Sequence, residues 1–138
     1  MSAVTTPEDA IRATLARYSF FCDDGRFDEW AGLFTEDVRF HVMGTTHRGR
    51  QAATAFISAA QGPEARGRHA LTGSLILVDG ATARAWSDYV FFGPDQAVQS
   101  VGRYHDELVL EDDGVWRFSL REIVFQRESP QLTPPPPA

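Results

Sequence analysis

The sequence predicts an α+β fold in which helices at the front of the chain pack against a long, curved antiparallel sheet. Three observations carry this reading. Apolar residues recur at helical spacing before residue 61 and not after it. From residue 69 onward, long β-type runs are separated by Asp79-Gly80, Gly93-Pro94 and Glu111-Asp112-Asp113-Gly114. The chain has 138 residues, 43% of them hydrophobic and 12% aromatic, enough for one domain to build a core without disulfides. Helices gathered ahead of a run of strands define the α+β class.

The elements follow in order. Thr6-Pro7-Glu8-Asp9 opens a helix: Thr6 can cap, Pro7 suits the first turn, and the acids suit the positive end. Ile11, Leu15, Tyr18 and Cys22 then share one face, and Gly25 is the expected stop. A short helix over 28–34 turns Trp30, Leu33 and Phe34 inward. Residues 38–43 alternate as a strand, Gly44-Thr45-Thr46 turn the chain, and 50–60 form a helix with Ala52, Phe56 and Ala59/Ala60 on one side. Four strands follow at 69–78, 81–92, 97–110 and 115–127, the first two joined by an Asp79-Gly80 hairpin. The expected division is one domain over 1–129 and a Pro-rich tail over 130–138.

Charge and cysteine count exclude several classes of function. With 13 basic and 19 acidic side chains the net charge is −6, so a phosphate-binding basic surface is not expected and neither is nucleic acid. One cysteine, Cys22, allows no internal disulfide, and no Cys/His spacing suggests zinc. No apolar run approaches the ~20 residues needed to cross a bilayer. The expectation is a cytoplasmic protein without membrane contact that takes a small ligand or another subunit. Neither a Walker loop nor a dinucleotide fingerprint occurs, so no cofactor and no metal are expected.

Four features could carry chemistry: Tyr18-x4-Asp23, His69, the run Gly102-Arg103-Tyr104-His105-Asp106-Glu107-Leu108, and Gly114-Val115-Trp116-Arg117-Phe118 with Arg121. With Asp28 and Leu33-Phe34-Thr35-Glu36-Asp37-Val38, this ordered set resembles the SnoaL-like proteins of the nuclear transport factor 2-like superfamily over about residues 7–127. The resemblance implies a cone-shaped half-barrel with a deep apolar pocket, in a homo-oligomer (dimer or trimer). Within the superfamily the chain is most similar to the branch of scytalone dehydratase, bile-acid 7-alpha-dehydratase and hexachlorocyclohexane dehydrochlorinase. That branch uses a His–Asp pair as base, which falls on His69 and Asp23, with Tyr18 matching a pocket tyrosine. The resemblance therefore implies a lyase acting without a cofactor on a small hydrophobic, cyclic or polycyclic substrate. Superfamily members also include ketosteroid isomerases, polyketide cyclases and dioxygenase small subunits. An isomerase or cyclase using an aspartate alone, or a non-catalytic subunit, therefore stands beside the dehydratase reading.

The chemistry of the pair stands on its own. An imidazole whose one nitrogen is held by a carboxylate can take a proton at the other, and the carboxylate stabilises the imidazolium that forms. A phenol can donate to a carbonyl or a leaving hydroxyl. Each residue also has a plainer reading. His69 could be a surface residue after Arg66-Gly67-Arg68, Asp23 an idle helix-end acid with Asp24 as its rival, Tyr18 a core aromatic and Cys22 a buried filler. Asp88 shares a face with Trp86, Val90 and Phe92, so it either enters the pocket as a second acid or anchor, or meets a partner such as Arg84. Arg103, His105 and Glu107 share a solvent or interface face. Asp106 points inward with Tyr104, where Arg121 could pair with it. His41 and His47 are not expected to be ligands. The expected pocket liners are Phe27, Trp30, Phe34, Met43, Phe56, Trp86 and Tyr89.

Overall fold

The computed structural model describes residues 4–127 and 134–137. Most of the expected tail, including Pro130, lies outside the described residues, and 134–137 form neither helix nor strand. Helix α1 spans Pro7–Asp23. Thr6 caps it, its hydroxyl accepting from the Asp9 N–H at 3.1 Å, and Gly25 turns the chain away at φ +72°. Ile11, Leu15, Tyr18 and Cys22 form its buried stripe with Thr14 and Ser19.

Helix α2 is shorter than its pattern suggests, Phe27–Ala31. The chain leaves it at Gly32, and Phe34 already belongs to strand β1, Phe34–Val42. Met43 and Gly44, both at positive φ, make a two-residue turn into β2, Thr45–Arg48, a short strand where the sequence suggested only a turn. Helix α3 runs Arg50–Ala60, but Ala53 and Ile57 are its buried positions, one residue round from the expected face. Ala52 is exposed.

Strands β3 (Arg68–Asp79), β4 (Thr82–Phe92), β5 (Val98–Leu110) and β6 (Trp116–Phe125) form an antiparallel meander. The β3–β4 loop is Gly80-Ala81, because Asp79 pairs with Thr82 and Gly80 supplies the left-handed φ of +61°. Strand β1 joins β6 in parallel, so the sheet is mixed, with the order β2-β1-β6-β5-β4-β3. The six-stranded sheet is curved and unclosed. Helix α1 packs on β3 and β6, and α3 on β1.

Rings fill the core between α1, α2 and the sheet. Trp30 lies 4.4 Å from Phe34, and Tyr18 lies 5.5–6.1 Å from Trp30, Phe34 and Phe118. Beneath them Arg121 makes two hydrogen bonds to Asp106, 2.7 and 2.8 Å, with neither side chain exposed. Its guanidinium sits 3.9–4.4 Å from the ring centres of Tyr104, Tyr18 and Phe118.

Candidate functional site

The last residue of α1 and the second residue of β3 meet. The Asp23 carboxylate holds His69 twice: Oδ2 accepts from the His69 backbone N–H at 2.8 Å, and Oδ1 lies 2.6 Å from ring Nδ1. The backbone bond fixes the carboxylate, so the ring cannot swing without breaking its own contact to Oδ1. Both side chains are at least nine-tenths buried, at 4% and 10% exposure. On its other side the imidazole stacks on Phe91, 4.4 Å between ring centres. A carboxylate only accepts, which puts the proton on Nδ1 and leaves the lone pair on Nε2. Asp24, the rival acid, caps the helix at the surface.

His69 lines a cavity of about 530 Å³ between the helices and the concave side of the sheet. Tyr18, Met43, Phe56 and Tyr89 line it as well. Burial pushes the Tyr18 hydroxyl well above the usual phenol range, although Arg121 beside it pulls the other way. Tyr104, which stacks on Tyr89 at 4.5 Å with planes 9° apart, is raised in the same sense by the same cause. Both remain phenols. The Tyr89 hydroxyl is 3.0 Å from Ser100 Oγ on the cavity wall.

Four expected liners lie elsewhere. Trp30 and Phe34 are fully buried in the ring cluster, and Phe27 packs under the Arg66 guanidinium. Trp86 faces the opposite side of the sheet, stacked on His105 at 5.1 Å. Asp88 shares that outer face, where Arg103 binds it at 2.5 and 3.1 Å, and so it serves no role in the cavity. Alternation identifies which residues of β4 share a face but not which face is inside. Here Ala83, Ala85, Ser87, Tyr89 and Phe91 are buried on the inner face, and Trp86, though also buried, lies outside the core cluster. The sequence reading missed Gln61, Ser100 and Arg127, all of which line the cavity. Gln61 and Arg127 lie at or beyond element ends, where no periodic signal operates, whereas Ser100 is in phase with Tyr104 and Asp106 on β5 and alternation could have found it.

Cys22 Sγ, an Asp23 oxygen and a His69 nitrogen lie within 4.8 Å of one another, so a metal must be considered. The arrangement fits one poorly. Two ligands of a tetrahedral zinc sit about 3.3 Å apart, whereas Nδ1 and Oδ1 are at 2.6 Å, a hydrogen-bond distance. Burial also pushes the Cys22 thiol up to about 12, against the thiolate a metal would need.

Residues 4–122 match the model of the SnoaL-like domain. The chain belongs to the SnoaL-like family. Solved structures agree with the assignment. Rv3472, a Mycobacterium tuberculosis protein of unknown function, is 32% identical to this SnoaL-like chain, with a TM-score of 0.78, 90% of this chain and 80% of that one covered. A Novosphingobium aromaticivorans protein solved under a provisional scytalone dehydratase name is 25% identical, with a TM-score of 0.72, covering 84% and 81%. A second protein from that organism, described as nuclear transport factor 2-like with a cystatin-like fold, is 26% identical, with a TM-score of 0.76, covering 88% and 83%. No curated protein matches the chain by sequence. Among the described residues, no helix is long and apolar enough to cross a membrane.

Proposed function

We propose that this SnoaL-like chain is a dehydratase-type lyase acting on a small hydrophobic, cyclic substrate, with His69 as general base. The observation that carries the reading is the doubly bonded Asp23–His69 pair on the wall of an apolar cavity. Nε2 takes a proton from the carbon beside a substrate carbonyl. Asp23 stabilises the imidazolium so formed. The carbon–carbon double bond forms as the β-hydroxyl leaves, and that hydroxyl departs as water on receiving a proton. The His69 imidazolium returns its proton to the leaving hydroxyl, while Tyr18, kept protonated by burial, holds the carbonyl by a hydrogen bond. The largely apolar walls lower the local dielectric and strengthen both interactions. The proton taken from carbon thus leaves with the hydroxyl as water, and His69 returns to its neutral state.

The test is turnover of fused-ring β-hydroxy ketones, read as the conjugated product. Wild type should form it. His69→Gln and Asp23→Asn should lose about 10²–10⁴-fold in kcat, the usual worth of a general base, with circular dichroism unchanged. Undiminished turnover by His69→Gln overturns the base assignment. A rearranged product with no loss of water would move the reaction to the isomerase class while keeping the same base.

A further inference from the structure

Among the described residues, the carboxamide oxygen of Gln61 is a buried acceptor without a partner, and Gln61 lines the cavity. Other unpartnered buried atoms, such as Trp30 Nε1, Trp86 Nε1 and Ser19 Oγ, belong to residues that do not line it. A buried oxygen without a donor is costly, and native proteins leave few of them.

The backbone around Gln61 is fixed. Its N–H donates to the Ile57 carbonyl at 2.8 Å as α3 ends. Its own carbonyl accepts from Arg66 Nε at 3.0 Å. Arg66 in turn packs over the Phe27 ring, and its guanidinium lies against Gly25, two residues beyond Asp23. Gln61 thus stands on the cavity wall at a helix end tied to the Asp23 side. Apart from His69, Gln99, Gln126 and Arg127, the rest of the wall is largely aliphatic and aromatic, and the Tyr89 and Ser100 hydroxyls bond each other.

We propose that Gln61 is the polar anchor of the cavity and a determinant of specificity: the ligand is an apolar ring compound carrying a hydroxyl that donates to Gln61 Oε1. The proposal rests on the reading of the cavity as the substrate site and narrows the substrate to a hydroxylated ring system. A pocket that binds by hydrophobic contact alone discriminates weakly, whereas one that must satisfy a buried oxygen rejects analogues lacking the donor.

Two ligands of nearly equal shape test it: 2-naphthol, which has the donor, and 2-methoxynaphthalene, which lacks it. Isothermal titration of wild type should show about tenfold tighter binding of 2-naphthol, one hydrogen bond's worth. Gln61→Leu should abolish the preference while leaving 2-methoxynaphthalene binding unchanged. Gln61→Glu keeps acceptor oxygens at that place and should retain the preference. Equal affinities in wild type overturn the proposal, because the amide would then be presenting its NH2 group or neither atom. So does a Gln61→Leu variant that weakens both ligands alike, and so does no binding of either ligand. The readout is equilibrium binding. Failure here leaves the role of His69 standing, and undiminished turnover by His69→Gln leaves the anchor standing.

Discussion

Arg121 is a full positive charge with no exposure, and the residues around it explain how the fold tolerates it. Burial alone would lower its pKa, but Asp106 outweighs that and raises it. For Asp106, burial pushes the carboxyl up more than Arg121 pulls it down. These directions oppose each other. The two parallel hydrogen bonds and three enclosing rings decide for an ion pair. Breaking one side leaves a buried, uncompensated charge. Arg121→Met or Asp106→Leu alone should therefore cost about 3–5 kcal/mol, and the double variant much less than the sum. Urea unfolding of the three variants checks this, and additive losses would show that the charges do not depend on each other. The pairing was legible in the sequence, because Asp106 and Tyr104 alternate inward. The Asp23–His69 geometry was not, since no spacing rule brings residues 46 positions apart within 2.6 Å.

At the scale of elements, β5 carries a constraint that only the structure reveals. A Cβ on Gly102 would run into the Val124 carbonyl oxygen and come within 2.8 Å of the Tyr89 ring. Gly102→Ala should displace Tyr89 from its stack on Tyr104 and narrow the cavity. It should weaken ligand binding as well as stability, by about 1–3 kcal/mol in stability as overpacking does. An alanine variant with wild-type melting temperature and ligand affinity would contradict this. Helix boundaries and hairpins were readable because caps, glycines and alternation are local signals. Strand β2 was not, being four residues long beside a glycine turn. The face of α3 was off by one position because its many alanines carry little directional signal: the buried residue is Ala53, and Ala52 next to it is exposed.

At the scale of the whole molecule, the chain of aromatics foreseen as pocket and core divides between the two, with Tyr18 and Tyr104 belonging to both. Trp30 and Phe34 seal the interior, while Phe56, Tyr89 and Phe91 face the cavity. Composition could supply the rings but not the gap left where α1, α3 and the curved sheet do not meet. The buried phenols also give the fold an alkaline limit. The folded pKa values of Tyr18 and Tyr104 lie above the unfolded value of about 10. Below pH 10 both states hold these protons, so the two residues add no pH dependence. Above it the unfolded state releases them and the folded state does not, so stability should fall, by up to about 1.4 kcal/mol per pH unit for each phenol. Urea midpoints between pH 8 and 11 measure this, and a flat profile would mean the two rings are not enclosed.

The central claim is that Asp23 holds Nδ1 of His69 and so presents Nε2 to the cavity. Nitrogen-15 NMR of the imidazole reads it directly. The neutral ring should carry its proton on Nδ1 and a bare lone pair on Nε2, the Nε2 signal should shift when 2-naphthol binds, and Asp23→Asn should disturb the tautomer. A neutral His69 protonated at Nε2, or a tautomer indifferent to Asp23→Asn, would contradict the account.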